Sequence, residues 1–217
     1  MVRAVIFDLD GLLVNTEVTC HKVFNSILAP YGYEMSIAEY VKNYSGKTIV
    51  ENITNTIKHY QLPIDCETGI AQAILEEENY LKQGVDLKPG ALELLQYLKK
   101  NQYKIVLGTS SKKERAVSIL EFHDIKKYFD DIVCGYDVKR GKPYPDTFLV
   151  ASERAQTPPE QCLVLEDSEA GIQAGFSAHI PVICIPDLKQ PRQQYVDMTA
   201  AVLPSLLDVV EYLEKQE

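Results

Sequence analysis

The sequence lacks an excess of basic residues, which argues against a nucleic-acid-binding surface. Lysine and arginine total 22 against 31 aspartate and glutamate residues, so the formal net charge of the 217 residues is −9. Proteins that hold the phosphate backbone of nucleic acids are normally basic. A small anionic ligand stays possible, because a site can be locally positive inside an acidic protein.

Long apolar runs, paired cysteines, internal repeats and low-complexity tracts are also missing. No run approaches the roughly 18 apolar residues that span a membrane, and the amino-terminal stretch has no charged-then-apolar signal pattern. None of the cysteines forms a CxxC pair, so we expect reduced thiols. These features predict a cytoplasmic protein without membrane contact. The five cysteines are Cys20, Cys66, Cys134, Cys162 and Cys184.

What the sequence does have is a series of short apolar runs, each followed by a helix-like segment. Hydrophobic residues make up 46% of the chain, enough for a sizeable core. The runs are continuously apolar, as in strands that are covered on both faces. Alternation of such strands with helices predicts an α/β fold with a Rossmann-like, mostly parallel sheet. The predicted strands lie near residues 3–8, 103–111, 130–135, 162–168 and 181–186, with a short sixth near Ala200.

More than 90 residues separate the first two predicted strands, whereas one crossover needs only about a dozen. Residues 16–83 have several helical patterns and no clear strand, with one apolar face expected at Leu75, Tyr80 and Leu81. We therefore predict a helical domain at 16–83 inserted into a core of residues 1–15 and 84–217.

Polar and charged side chains follow four of the predicted strands. Ligands of open parallel sheets bind beyond the carboxyl ends of the strands, and residues two apart on an extended chain point to the same side. Acids there suit a hard cation with oxygen ligands, and hydroxyls with a lysine suit an anion. The pattern predicts a phosphate with Mg²⁺. The residues are Asp8, Asp10, Thr109, Ser110, Ser111, Lys142, Glu166 and Asp167.

These residue types support phosphoryl transfer. Crowded carboxylates repel one another unless a cation neutralises some of them. One aspartate can attack phosphorus, and the other can protonate the leaving oxygen and later deprotonate a water. Thr109 can donate a hydrogen bond to a phosphoryl oxygen, and Lys142 can neutralise its charge.

Four motifs in this order resemble those of the haloacid dehalogenase (HAD) superfamily, most of whose members are phosphatases. They are "DLDG" from Asp8, Thr109 after its strand, Lys142 in "GKPYPD", and "EDSEAGI" from Glu166. The resemblance covers essentially the whole chain.

The resemblance implies that Asp8 is the nucleophile and Asp10 the general acid/base. It also implies that Asp8, the backbone carbonyl of Asp10 and Asp167 bind Mg²⁺, with Glu166 binding directly or through water. The insertion resembles a substrate-selecting cap, in which Lys47 and His21 are candidate substrate contacts, beside Ser110 and Ser111 in the core. Asn15 departs from the family pattern, because many relatives carry an aspartate there.

The residues around the motifs distinguish the reactions that members of this family carry out. A dehalogenase would not need Asp10. The β-phosphoglucomutase branch carries a histidine and an arginine in its cap, at positions that align here with Cys20 and Ile49, so the mutase pattern is broken. Glu17 in "NTE" resembles the phosphatase branch. Both candidate catalytic acids are present, which disfavours a non-catalytic phospholigand sensor.

We therefore predict a monomeric, Mg²⁺-dependent phosphatase. Its expected substrate is a small phosphorylated metabolite, with sugar phosphates among the candidates, and a phosphosugar mutase is the alternative.

Two of the motif segments also have a simple helix-capping interpretation. Ser111, three residues before Glu114, fits a capping box. Asp167 likewise precedes a predicted helix at 169–177 and is expected to contribute to its cap.

Overall fold

The computed structural model describes residues 1–215, which fall into two compact units. One unit consists of Met1–Asn15 and the chain from Asp86 onward, and the other is Thr16–Val85. No helix in the described part of the chain is both long and apolar enough to cross a membrane.

The first unit is built on a six-stranded sheet with the order β3-β2-β1-β4-β5-β6. Each of the neighbouring pairs is parallel. The central strands are fully buried, which explains why their sequences are apolar without alternation. The predicted fold class is confirmed. The strands are β1 Ala4–Phe7, β2 Lys104–Gly108, β3 Asp131–Val133, β4 Cys162–Glu166, β5 Val182–Cys184 and β6 Ala201–Val202.

Helices connect these strands and bury their apolar sides against the sheet. Phe148 of the helix before β4 packs with Ile6, Val106 and Val164 in one continuous cluster. The helices of this unit are α5 Ala91–Lys100, α6 Lys113–Phe122, α7 Asp146–Arg154, α8 Glu169–Ser177, α9 Gln193–Val196 and α10 Asp208–Glu214.

The second unit is an assembly of four α-helices around an aromatic cluster. The rings of Tyr40 and Tyr44 stack with their centroids 6.3 Å apart, and Phe24 packs beside both. The helices are α1 Thr16–Leu28, α2 Ile37–Asn43, α3 Ile49–Tyr60 and α4 Cys66–Gln83.

The apolar face expected on α4 is wrong at Leu75, which is 57% exposed. The small residues Gly69 and Ala73 are the buried ones on this helix. A Cβ on Gly69 would lie 2.7 Å from Ile53 Cγ2. Close approach of α3 and α4 therefore selects a small residue at Gly69, whereas Tyr80, also expected on this face, is partly buried against the core of the unit.

The two segments where the chain leaves and re-enters the first unit are hydrogen-bonded to each other. The Asn15 amide donates to the Asp86 carbonyl at 2.9 Å, and the Lys88 amide donates to the Leu13 carbonyl at 2.8 Å. The chain reaches Asn15 through a tight turn after β1, in which Gly11 has a φ of +84°. This turn places Asp8 and Asp10 at the carboxyl end of the sheet.

Candidate active site

Adjacent strands bring the first and fourth motifs together. β1 and β4 pair with Phe7 opposite Leu165, and the Asp8 amide donates to the Leu165 carbonyl at 3.1 Å. Asp8 and Glu166 therefore leave the sheet at the same level, and both are buried. The clustering follows directly from the parallel register.

Lys142 lies between these two acids. Its Nζ donates to Asp8 Oδ1 at 2.5 Å and to Glu166 Oε1 at 2.6 Å, and it lies 4.7 Å from the centroid of the Phe148 ring. The Lys142 side chain is only 6% exposed, so its ammonium group is a buried counter-charge. Burial by itself lowers the pKa of Lys142, but the two carboxylates outweigh burial and hold that pKa above its usual range.

The environment of Asp8 opposes ionisation of its carboxyl group. Burial raises the pKa of Asp8 to about 7, and the negative charges of Glu166 and Asp10 act in the same direction. Lys142 acts in the opposite direction, towards the carboxylate form. A nucleophile must be ionised to attack, so further positive charge at this position would favour reactivity.

Glu166 is held by both the loop and the helix that follow it. Its Oε2 accepts hydrogen bonds from the amides of Asp167 and Ser168 at 2.9 and 2.8 Å, and from the Ser168 hydroxyl at 2.9 Å. Ser168 is also the N-cap of α8, because its Oγ accepts from the Gly171 amide at 3.1 Å. The cap expected from Asp167 is thus provided by Ser168, and the Asp167 carboxylate is not used for it.

Gly171 makes room for the Glu166 carboxylate beneath α8. A Cβ on Gly171 would lie 1.8 Å from Glu166 Oε1. We expect Gly171→Ala to displace this carboxylate from Lys142, to lower the free energy of unfolding by about 1–3 kcal/mol through overpacking, and to reduce kcat. Chemical denaturation and steady-state kinetics measure both effects.

Gly141→Ala is the matched control, because nothing lies within 4 Å of the added Cβ. A Gly171→Ala variant as stable and active as the control would show that Glu166 tolerates displacement.

The acidic residues fit a divalent cation. Asp8, Glu166 and Asp167 each offer an oxygen within 4.8 Å of the others, and oxygen-only donor sets suit Mg²⁺. Asp167 Oδ1 is buried and has no hydrogen-bond partner among residues 1–215. Burial and the neighbouring acids raise the pKa of Asp167. Lys142 is the one cation paired with these acids in the described chain, so the three groups, when all are ionised, carry two negative charges that it does not balance.

The turn after β1 is shaped around one of these acids. A Cβ on Gly11 would lie 2.3 Å from Asp167 Oδ2. Gly11 has a left-handed backbone conformation, and its lack of a side chain leaves room for the Asp167 carboxylate. The glycine of "DLDG" is therefore part of the site.

The carboxylate of Asp10 points to a different set of partners. Its Oδ2 accepts hydrogen bonds from Ser111 Oγ at 2.7 Å and from Arg115 Nη1 at 2.9 Å. The predicted capping box at Ser111 is therefore wrong: Lys112 is the N-cap of α6, and the Ser111 hydroxyl is committed to Asp10. Thr109, which is buried, accepts a hydrogen bond from the Ser111 amide at 3.0 Å.

Ser110 follows Thr109 and is exposed. Its carbonyl oxygen would lie 2.6 Å from a Cβ on Gly135, so the loops after β2 and β3 are in close contact.

Lys47 and His21 belong to the inserted unit, and the structure gives each a local partner there. Lys47 Nζ donates to the Asn43 carbonyl at 2.6 Å on the surface. His21 Nε2 donates to the Met35 carbonyl at 2.8 Å. The side chain of Asn25 is hydrogen-bonded to both the carbonyl and the amide of Met35. Their roles in substrate binding stay predictions.

Two charged features next to the site were missed by the sequence reasoning. Arg115 lies in the first turn of α6, four residues after Ser111, which precedes the N-cap of that helix. This spacing of about one helical turn is a signal that could have found it. Lys88 pairs with Asp187 after β5, and the negative charge of Asp187 contributes to the raised pKa of Asp167. A pair 99 residues apart has no local sequence signal.

Buried acids and a lysine at the carboxyl edge of a parallel sheet are typical of an α/β enzyme. Residues 5–185 match the sequence model of the haloacid dehalogenase-like hydrolases. The chain belongs to this family.

Two curated relatives are phosphatases by name. A provisionally named pseudouridine-5′-phosphatase of Drosophila melanogaster is 35% identical over 213 residues, which cover 94% of this chain and 89% of that protein. A bifunctional riboflavin kinase/FMN phosphatase of Arabidopsis thaliana is 34% identical over 207 residues. This match covers 94% of the present chain but only 54% of the plant protein, so the chain spans about half the length of that relative. The predicted family and enzyme class, a HAD-like phosphatase, are confirmed.

A solved structure with high similarity belongs to a Thermotoga maritima protein provisionally described as a β-phosphoglucomutase. It superposes with a TM-score of 0.85 and 26% identity, and the match covers 98% of this chain and 99% of that one. The mutase alternative is therefore represented among the structural neighbours.

Proposed function

We propose that this protein is a Mg²⁺-dependent phosphatase that hydrolyses a small phosphate monoester through a phosphoryl group carried on Asp8. The observation that carries the proposal is the grouping of Asp8, Glu166 and Asp167 around the buried ammonium of Lys142. The phosphatase names of the two relatives support it.

In the proposed reaction, an oxygen of Asp8 attacks phosphorus and the bond to the leaving oxygen breaks. Asp10 gives its proton to that oxygen, so that a neutral alcohol departs. A water then attacks the phosphorus of the aspartyl phosphate, Asp10 takes the proton of that water, and inorganic phosphate leaves with Asp8 restored. The Thr109 hydroxyl and the Lys142 ammonium hold the phosphoryl oxygens.

Asp8 and Asp167 would hold the cation, together with the backbone carbonyl of Asp10, and Glu166 would act directly or through a water. A bound divalent cation would polarise a phosphoryl oxygen as a Lewis acid and offset the charge of the acids. Oxygen ligands and small size favour Mg²⁺ at such a site.

We expect chelation by EDTA to abolish phosphate release and added Mg²⁺ to restore it. Asp167→Asn, which removes one charged ligand, should raise the Mg²⁺ concentration for half-maximal activity by about tenfold or more. Titration of the activity with Mg²⁺ measures this shift.

Glu169→Gln is the control for this titration, because Glu169 lies two residues further on and pairs with Arg192 at the surface. The same Mg²⁺ requirement in both variants would remove Asp167 from the ligand set.

The substrate class is proposed from the relatives and from the sequence. Pseudouridine 5′-phosphate and FMN are both phosphate esters of a primary alcohol on a five-carbon chain. A small sugar phosphate or nucleotide monophosphate of this type is the proposed substrate, selected by the inserted helical unit, in which Lys47 and His21 are candidate contacts.

Phosphorus NMR with Mg²⁺ tests the proposal against the mutase alternative. A panel should contain pseudouridine 5′-phosphate, FMN, ribose 5-phosphate, and β-glucose 1-phosphate primed with its 1,6-bisphosphate. Inorganic phosphate is the expected product. Conversion of β-glucose 1-phosphate to glucose 6-phosphate without phosphate release would favour the mutase, which the likeness to the Thermotoga maritima structure keeps as the second candidate.

A further inference from the structure

The carboxylate of Asp10 is held by a fork of donors from the segment after β2. Ser111 Oγ lies 2.7 Å and Arg115 Nη1 2.9 Å from Oδ2, and Arg115 Nη1 lies 2.8 Å from Oδ1. Arg115 Nη1 also donates to Ser111 Oγ at 2.8 Å. The arginine thus contacts both oxygens of the carboxylate and the hydroxyl that shares it.

The position of Arg115 is not explained by the stability of its own helix. Lys112 is the N-cap of α6, so Arg115 stands in the first turn, where the helix dipole disfavours positive charge by about 0.3–1 kcal/mol. The Arg115 side chain is only 20% exposed. A positive charge at an unfavourable helix position whose side chain points into the site is a candidate for a functional role.

We propose that Arg115 is a positioning residue that holds Asp10 in the orientation needed for proton transfer. The inference rests on the proposed function, in which Asp10 must face first the leaving oxygen and then the attacking water. Asp10 directly precedes the turn after β1, and its side chain is 34% exposed, so packing covers it only in part. The guanidinium and Ser111 restrain its side-chain torsions further, and misplacement of a proton donor lowers the rate steeply.

Comparison of two leaving groups separates positioning of Asp10 from general damage to the site. Departure of an alkyl alcohol from phosphorus requires a proton from Asp10, whereas 4-nitrophenolate leaves without one. We expect Arg115→Gln to lower kcat/KM for an alkyl phosphate by about 10- to 100-fold, within the range of general acid catalysis. For 4-nitrophenyl phosphate, kcat/KM should fall less than about threefold, while kcat falls because water activation also needs Asp10.

Three further variants complete the experiment. Asp10→Asn shows how loss of the acid itself changes kcat/KM for the alkyl and the 4-nitrophenyl ester. Arg115→Lys keeps the charge and should recover part of the activity towards the alkyl ester. Arg192→Gln removes a comparable arginine–carboxylate pair at the surface, with Glu169, and should behave as wild type.

The outcomes distinguish this inference from the proposed function. If Asp10→Asn affects the two esters unequally and Arg115→Gln affects them equally, Arg115 does not position Asp10. If Asp10→Asn itself does not distinguish the esters, the proposed acid role of Asp10 is wrong. Equal losses for both esters in folded Arg115→Gln and Arg115→Lys, confirmed by thermal melting, would assign Arg115 a purely structural role.

Discussion

Replacement of Asp8 by asparagine is expected to reduce kcat by about a thousandfold or more, the scale on which removal of a catalytic nucleophile acts. Asparagine has nearly the same shape but no charge, so it cannot attack phosphorus. The loss should appear in kcat for every substrate that the wild-type protein hydrolyses.

The fold should survive this change, because Asp8 is one of three clustered acids that repel one another. Removal of one negative charge leaves Glu166 as the partner of Lys142, at 2.6 Å. Thermal melting of the variant should therefore stay close to that of wild type. Asp146→Asn is a matched control that breaks another acid–cation pair, with Arg140 at 2.9 Å. Asp8→Asn with most of its activity would refute the assignment of the nucleophile.

Lys142→Met is expected to have the largest effect on stability. The Lys142 ammonium is the shared partner of Asp8 and Glu166, and the side chains of all three are at most 9% exposed. Removal of one member of a buried ion pair typically costs about 3–5 kcal/mol, because the other charge stays buried without compensation. In addition, kcat should fall about 10²- to 10³-fold, as for other groups that stabilise transition-state charge.

A divalent cation should partly replace the lost charge. We therefore expect Mg²⁺ to raise the melting temperature of Lys142→Met more than that of wild type, when each is compared with the same protein in EDTA. Lys127→Met, which removes an exposed pair with Asp124, should melt like wild type in both conditions. An equal Mg²⁺ effect in Lys142→Met and wild type would contradict the charge balance proposed for the site.

The parts of the fold that the sequence predicts are those governed by strong local patterns. Continuous apolar runs predict the strands of the core, and α8 is observed at the predicted residues 169–177. Parallel strands then bring their carboxyl ends to one edge, so motifs more than 150 residues apart, such as Asp8 and Glu166, are predicted to be neighbours.

The parts that the sequence does not predict depend on competition between partners. Ser111 satisfies the pattern of a helix cap, but its hydroxyl binds Asp10, a residue 101 positions away. Leu75 satisfies the pattern of a buried face, but α4 buries Gly69 and Ala73 against its neighbours, and Leu75, two residues after Ala73, lies on the opposite side of the helix. Lys88 and Asp187 meet only because the sheet order places β5 two strands from β1.

The central claim is that Asp8 carries the phosphoryl group, and a trapped intermediate tests it most directly. The Asp10→Asn variant, in which hydrolysis of the intermediate should be slow, would be mixed with Mg²⁺ and 4-nitrophenyl phosphate, quenched in acid, and mapped by peptide mass spectrometry. We predict a gain of one phosphoryl group on the peptide that contains Asp8, and no gain in Asp8→Asn. Release of phosphate without any adduct at Asp8, or an adduct on another residue, would contradict the account.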